Sequence, residues 1–493
     1  MNKKVTPPSS CKSAALRVAL LFLFSAFVLS WLSPDSFLMH EWGSRGDSSW
    51  FFTCGKAWME GLTPYVDFTD SKGPMLWLVY GLAYLLTPTS YSGVLLMSVV
   101  ALTVTLEFVW RTSRLFAGRR SALVAVVLIS VLSLLRPVHS ETKAEDFCLP
   151  WIAVALYYTC RVMQASPAVP WRRAAFWTGV GMAWCLMVKW NVFFMMGGMA
   201  LVVAGASLAH RRVDGVLAGL SGIAVVCVPV AVWFAAKGNF PAFVQEYFVN
   251  TFLITDNGNG MGTWRSALAG QFADAYMALR TLMLYAALAG VCLFCRRFRF
   301  TWWLVFVYLP FFLFLLFKAS AIHYCIAMMP FLTFLILFAA RLCPRFLRKM
   351  PAWGLAAVLT VVVLANIAVS VHRENLRFTY NPYSLQWNAI QKVMTAKRYP
   401  LIMFNVADNG VGLKSRALPA CKYYAKQKAA TAAMTAQRTE ALRQRRPDFF
   451  AFIMEPDAST RRLLHACGYR QCFATVTDGN RSERIALQLY AKE

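Results

Sequence analysis

The chain has 493 residues, of which 58% are hydrophobic, 15% aromatic and only 15% charged. This composition excludes a soluble globular protein and points to one that repeatedly crosses a bilayer. The formal net charge of +27 divides unevenly, and the +11 on residues 372–493 points either to an anionic neighbour such as lipid phosphates or an acidic polymer, or to a merely soluble basic surface. No basic, aromatic-interleaved stretch lies in the cytoplasmic portion, so no nucleic-acid partner is expected.

Apolar runs near the length that spans about 30 Å of hydrocarbon follow one another along the chain. They lie at Ala14 to Leu32, Gly93 to Trp110, Ser121 to Leu135, Phe147 to Val162, Ala174 to Val188 and Trp190 to Ala209. Further runs lie at Gly215 to Ala236, Tyr276 to Cys295, Phe300 to Phe317, His323 to Ala340 and Ala352 to Val371. The expectation is an all-α polytopic membrane domain over residues 1–371 with about eleven transmembrane helices. Met75 to Leu86 is apolar but short and bounded by Pro74 and Pro88, so it reads as an interfacial or re-entrant helix.

With that segment not counted as a span, the basic clusters at Arg111 to Arg120, Arg161 to Arg173, Arg211 and Arg212, Arg296 to Arg299 and Arg341 to Lys349 share one side with Lys3, Lys4 and Lys12. By the positive-inside rule that side is cytoplasmic. Acids agree: before Val371, only Glu107 and Asp214 lie in a span or on that side. The N-terminal apolar segment ends in SWLSPDS, which lacks a small-residue cleavage site and is read as retained. Polar chemistry is therefore expected outside, and the N-terminus inside.

Residues 372–493 are basic overall and alternate helical and strand patterns. Leu385 to Lys397, Met434 to Arg445 and Ser459 to Cys467 read as helices; Pro400 to Val406, Asp448 to Met454 and Arg484 to Tyr490 read as strands. That is a small external α/β soluble domain. The cysteines are scattered without zinc-like spacing and read as small apolar residues.

Chemistry is sought on the external loops. In the first, Asp47 precedes an amphipathic stretch (Trp50, Phe51, Cys54, Trp58, Met59) that reads as an interfacial helix, with Lys56 and Glu60 on other faces. Asp47 suits either a helix cap or a general base. The second loop, RPVHSETKAEDFCLPW, places Glu145 and Asp146 before a span. Neighbours on a helix point apart, so at most one of the two is expected to share a cavity with Asp47. Lys72, Arg136, Lys189, Lys318 and His323 stand at external span ends, where a headgroup phosphate would be met. For Lys189 and Lys318 snorkelling is the favoured explanation.

The run GDSSWFFTCGKAWMEGLTPYVDFTDSKGPML resembles the first external loop of family C polytopic glycosyltransferases, the bacterial relatives of dolichyl-phosphate-mannose protein mannosyltransferases and of the lipid A aminoarabinose transferase. The matching residues are an early Asp47, then Gly61, Pro64, Tyr65 and Asp67, then Lys72 and Pro74. T-x-x-E-D-F-x-L-P, here with Glu145 and Asp146, is similar to the acidic motif of that family, and His323-Tyr324 followed by Pro330 to a late segment near the lipid phosphate. The resemblance covers Asp47 to about Tyr158; Gly73 departs from it where many relatives have a second proline, and the tail departs too.

The resemblance implies an integral membrane enzyme that moves a sugar from a polyprenyl-phosphate donor to an external hydroxyl on a cell-envelope lipid, polymer or protein, with inversion. Asp47 would be the base, with Glu145 or Asp146 orienting the acceptor or holding a divalent ion such as Mg or Mn. No cofactor is otherwise implied. Lys72, Arg136, His323 and Tyr324 would meet the donor phosphate, and Tyr65, Asp67 and Asp70 would shape the loop. The setting would be a bacterial inner membrane, with the tail periplasmic or extracellular. The competing class is a transporter or lipid flippase, which calls for acids near the bilayer midplane; Glu107 is the one acid on offer.

Overall fold

The fold is that of a computed structural model, described for residues 11–39, 47–135, 139, 142–164, 170–251, 275–298, 322–371, 376, 392–394, 400–405, 410–425, 431–452, 456–478 and 484–492. The expected span Phe300 to Phe317, Lys318, Arg136 and most of the expected helix Leu385 to Lys397 lie outside these residues.

Apolar runs become helices because a helix satisfies every backbone N–H and C=O without water. In chain order they are α1 (Cys11–Leu32), α2 (Asp47–Met59), α3 (Pro74–Leu86), α4 (Ser92–Phe116), α5 (Arg119–Ser133), α6 (Leu149–Met163), α7 (Trp171–Val188), α8 (Trp190–Ala209) and α9 (Val213–Ala236). A short α10 (Phe240–Phe243) runs into a π-helix at Val244–Asn250. The bundle continues with α11 (Ala275–Phe298), α12 (Met329–Leu342), α13 (Pro344–Lys349) and α14 (Ala352–Ser370). Single 3-10 segments precede α6 (Ala144–Phe147) and α12 (Ile322–Met328).

Among the described residues, 6 helices are long and apolar enough to cross a membrane. Leu16, Leu20, Leu23, Leu217, Val225 and Val361 stand exposed on α1, α9 and α14, as lipid-facing positions do. Small residues let α7 and α9 approach closely: a Cβ on Gly179 would lie 2.2 Å from the Gly219 carbonyl oxygen, the small-residue packing that membrane helices favour.

At the end of the bundle away from the first loop, Glu107 accepts two hydrogen bonds from Arg17, both 2.7 Å, and one from Arg111 at 2.6 Å. Arg341 donates to the Phe116 carbonyl at 2.9 Å. Glu107 therefore ties α1 to α4.

The tail forms a five-stranded mixed sheet in the order β2-β1-β3-β5-β4. Its strands are β1 (Leu401–Phe404), β2 (Leu418–Pro419), β3 (Phe449–Phe452), β4 (Tyr469–Asp478) and β5 (Arg484–Lys492). β1 pairs in parallel with β2 and β3, and β5 runs antiparallel to β3 and β4, with Phe450 opposite both Met403 and Tyr490. Helices α15 (Val411–Ser415), α16 (Ala432–Arg443) and α17 (Ala458–Ala466) connect the strands. Thr431 and Asp457 cap α16 and α17 by accepting from Met434 N and Thr460 N. The sequence pattern misses β4, because this edge strand carries Arg470, Gln471 and Thr475 and is interrupted by an irregularity between Gln471 and Phe473.

The polar face of α2 is covered by the protein itself: Ser48, Ser49 and Lys56 are buried, as is Phe52. The tail covers it. The Gly410 N–H donates to Ser49 Oγ at 3.0 Å, the Lys56 ammonium donates to the Gly412 carbonyl, and the Tyr424 ring meets Trp50 edge-on at 5.9 Å.

Candidate active site

Asp47 opens α2, with its carboxylate at the start of the helix where the dipole favours negative charge. The next element, the turn before α3, presents Lys72. Gly73 caps α3 and Pro74 takes its first position, where a missing N–H costs nothing. This turn is anchored on the end of α7: the Gly73 N–H donates to Val188 O at 3.0 Å. A Cβ on Gly73 would sit 2.0 Å from the Met187 carbonyl oxygen. A proline here would lose that hydrogen bond. Gly73→Ala is expected to lower stability by about 1–3 kcal/mol through overpacking, read as a lower melting temperature in detergent; an unchanged melting point would refute the close packing.

Tyr65 holds the same turn from below. Its φ of 66° is left-handed, an unusual state for a bulky residue. The strain is held by complete burial among Trp77, Phe234, Phe243 and Tyr247 and by a hydrogen bond from the Tyr65 hydroxyl to Lys72 O at 2.9 Å. Asp67 and Asp70 turn inward on their own loop: Thr63 N donates to Asp67 Oδ2 at 2.7 Å and Ser71 N to Asp70 Oδ1 at 2.6 Å. They do not reach Asp47 through any of these bonds.

The 3-10 segment at Ala144–Phe147 sends its two acids in different directions, as neighbouring positions require. Glu145 is 1% exposed and pairs with Lys189, whose Nζ lies 2.5 Å from Oε1, while His323 Nε2 stands 4.0 Å from the same oxygen. Glu145 Oε2 is buried and has no hydrogen-bond partner among the described residues. Asp146 Oδ2 accepts from the Lys143 N–H at 2.7 Å and faces His139 Nε2 at 3.2 Å. Lys143 then turns its side chain the other way, and its Nζ lies 3.4 Å from Asp47 Oδ2. Tyr324 stacks on His323 at 4.8 Å between ring centroids, and the Lys189 ammonium lies 4.3 Å from the Tyr324 ring centre. Arg136 falls outside the described residues.

These groups form one electrostatic unit. Burial pushes the Asp47 carboxyl up, but Lys72, Lys143 and Lys189 outweigh it and hold the group well below the usual carboxylate range, while burial pushes His323 itself down to about 4, so that it is neutral above that pH. Glu145 behaves alike: burial raises it, and Lys189 brings it below its ordinary value. For Lys189, burial lowers the ammonium, and Glu145 more than compensates, so it stays charged. His139 is raised because the Asp146 carboxylate outweighs the cost of burial.

Exposure separates the roles. The Asp47 side chain is 46% exposed, against 8% for Lys143, 9% for Lys189 and 1% for Glu145. Asp47 is thus the acid at this centre that an incoming molecule meets. Among the described residues, no three His, Cys, Asp or Glu side chains converge as a metal-holding set. Glu145 and Asp146 are engaged by cations and donors of the chain itself, a poor fit to a preformed divalent-ion site.

The sequence reading missed Lys143 and His139, and it favoured snorkelling for Lys189. The signal for Lys143 lies in the TKAED run, a cation two residues from an acidic pair in a short polar loop. Lys189 interrupts two apolar runs, a position that suits a headgroup-facing cation as well as a buried partner.

Residues 71–233 match the family described as dolichyl-phosphate-mannose-protein mannosyltransferase. That segment holds Lys72, Glu145, Asp146 and Lys189, whereas Asp47 precedes it. No curated protein matches the chain in sequence. The structure is similar to that of ArnT from Cupriavidus metallidurans bound to undecaprenyl phosphate, with a TM-score of 0.54 and 13% identity over 97% of this chain and 98% of that one. The apo form of the same ArnT gives a TM-score of 0.54 at 14% identity, with the same coverage. At this identity the likeness speaks for the fold. The chain thus shares the fold of these ArnT structures, and within it residues 71–233 carry the match to the mannosyltransferase family.

Proposed function

We propose that the chain transfers a sugar from a polyprenyl-phosphate donor to a hydroxyl on a cell-envelope acceptor, inverting the anomeric centre. The observation that carries this reading is the exposed Asp47 carboxylate, kept ionised at the mouth of a ring of cations. As the acceptor oxygen attacks the anomeric carbon, its proton passes to Asp47. The bond from that carbon to the phosphate oxygen breaks, and its electron pair leaves with the lipid phosphate. Lys72 and Lys143 flank Asp47 and stabilise the departing anion by charge-assisted hydrogen bonds. The buried Glu145 pairs with Lys189 and faces His323, which holds these groups in place behind Asp47. The undecaprenyl phosphate bound to ArnT supports a lipid phosphate of this class. The orientation follows from the basic loops: the site on the outer face of a bacterial plasma membrane, the N-terminus in the cytoplasm and residues 372–493 as an external domain.

The reading is tested by comparing envelope lipids, polymers and proteins by mass spectrometry from cells with and without the chain, alongside sugar transfer from a synthetic polyprenyl-phosphate donor in isolated membranes. One glycan is expected to lose a single sugar when the chain is absent. If no glycan changes and a solute or lipid is instead redistributed across the membrane, the transport alternative replaces this reading.

A further inference from the structure

The candidate base and the candidate phosphate ligand stand on different elements, α2 and the turn before α3, so their separation depends on what holds both. One stretch of the tail, Gly410 to Tyr424, touches each. It bonds α2 through Gly410 N to Ser49 Oγ at 3.0 Å and through the Gly412 carbonyl, which accepts from Lys56. Tyr424 lies against the same helix, its hydroxyl 3.6 Å from Cys54 Sγ. The Lys422 carbonyl accepts from Thr69 N at 3.1 Å, three residues before Lys72.

The same stretch has a third attachment. The Lys422 ammonium pairs with Glu246 of the π-helix, and the Tyr423 hydroxyl donates to Glu246 Oε1 at 3.1 Å. Glu246 is 8% exposed and Lys422 21%. The next residue, Tyr247, donates from its hydroxyl to Leu186 O at 2.5 Å. The π-helix and the Lys72 turn therefore both attach to the last residues of α7, immediately before Lys189 of the Glu145 pair. A π-turn carries an extra residue that shifts the side chains after it, and such turns recur at functional sites.

We propose that Glu246 is a positioning residue: by holding Lys422 and Tyr423 it fixes the Gly410 to Tyr424 stretch across α2 and the Lys72 turn, and so sets Asp47 against Lys72 for transfer. The pair is charged and half-enclosed, so its loss loosens the docking of the stretch while leaving the sheet and bundle cores packed. The inference rests on the glycosyl-transfer reading for its assay alone.

The test uses the full chain in membranes with a synthetic polyprenyl-phosphate sugar donor. Glu246→Gln and Lys422→Met are expected to lower kcat by roughly 10-fold or more, because small misplacements of reacting groups are costly, with the donor KM within about twofold of wild type. Lys422→Arg keeps the pair and should retain wild-type kcat, and the swap Glu246→Lys with Lys422→Glu should recover most of the lost rate. Wild-type kcat in both single variants overturns the proposal. So does a fall in kcat that neither Lys422→Arg nor the swap escapes, or one that follows the melting temperature variant by variant. Absence of transfer by the wild-type chain is a different result, because it removes the glycosyltransferase reading itself.

Discussion

Asp47→Asn is expected to lower sugar transfer by about 100-fold or more, the scale of a lost general base, with protein abundance unchanged. Asn keeps the size of Asp but takes no proton, so the start of α2 is preserved and the chemical role is not. The carboxylate stands in solvent contact, which makes its loss cheap for stability. The pH dependence follows in sign. Asp47 has a folded-state pKa below its ordinary 3.8, so its basic form, and the stability its ion pairing adds, are present above 3.8 and lost only as pH falls through the lower, folded value. The acid limb of the wild-type rate profile is therefore not expected to report Asp47 near an ordinary carboxylate pKa. Asp47→Asn with full transfer from a polyprenyl-phosphate donor would sink the assignment of the base.

Lys189→Met is expected to have the second large effect, on stability first. It leaves Glu145 as an uncompensated charge at 1% exposure, a loss of about 3–5 kcal/mol for a broken buried pair. That is a large part of the about 5–15 kcal/mol that holds a typical domain folded. The double variant Lys189→Met with Glu145→Met removes both charges and should recover much of the loss, since a buried pair and a well-packed apolar pair are close in energy. Thermal melting of the two singles and the double in detergent closes the cycle. Lys189 is raised, so its contribution is fully present below 10.5 and lost as pH rises through its folded value. Glu145 is lowered, so its contribution is present above 4.5 and lost as pH falls through its folded value. Between 4.5 and 10.5 the pair is intact. A single-variant loss under about 1 kcal/mol, the scale of a surface pair, would contradict the burial described for it. The same substitution removes one of the cations that hold Asp47 ionised, so the surviving protein should show the acid limb moved upward.

Glu145 illustrates why the two charged clusters of this chain differ. At the far end of the bundle, Glu107 meets Arg17 and Arg111 with both oxygens engaged, a closed tie between helices. At the site end, Glu145 uses one oxygen on Lys189 and keeps the other without a partner among the described residues. An intramembrane or interfacial charge is costly in both places. Only the second leaves a carboxylate oxygen without a hydrogen-bond partner among the described residues.

Much was legible in the residues themselves. Apolar runs of spanning length, turn residues at Gly61 to Tyr65 and Lys72 to Pro74, and the asymmetry of Arg and Lys between loops are local signals, each governed by neighbours within a few positions. They marked the helices, the short α3, and the loop that bears Asp47 and Lys72. The strands β1, β3 and β5 were visible because their apolar residues are consecutive, whereas β4 was hidden by its edge-strand polarity.

Tertiary structure alone decided the rest. Lys143 reaches Asp47 across 96 residues of sequence and Lys189 reaches Glu145 across 44, and no periodicity encodes such meetings. The amphipathic pattern of α2 announced a helix with one apolar face, yet the tail from Gly410 to Tyr424 buries its other face as well. Hydropathy records what a segment prefers to leave water for, not which neighbour arrives to cover it. By itself the sequence determined a membrane bundle with an acid-bearing first loop and an α/β tail. The three-dimensional packing decided which acid stays exposed and which cations surround it, because burial and charge pairing are properties of distance in space rather than along the chain.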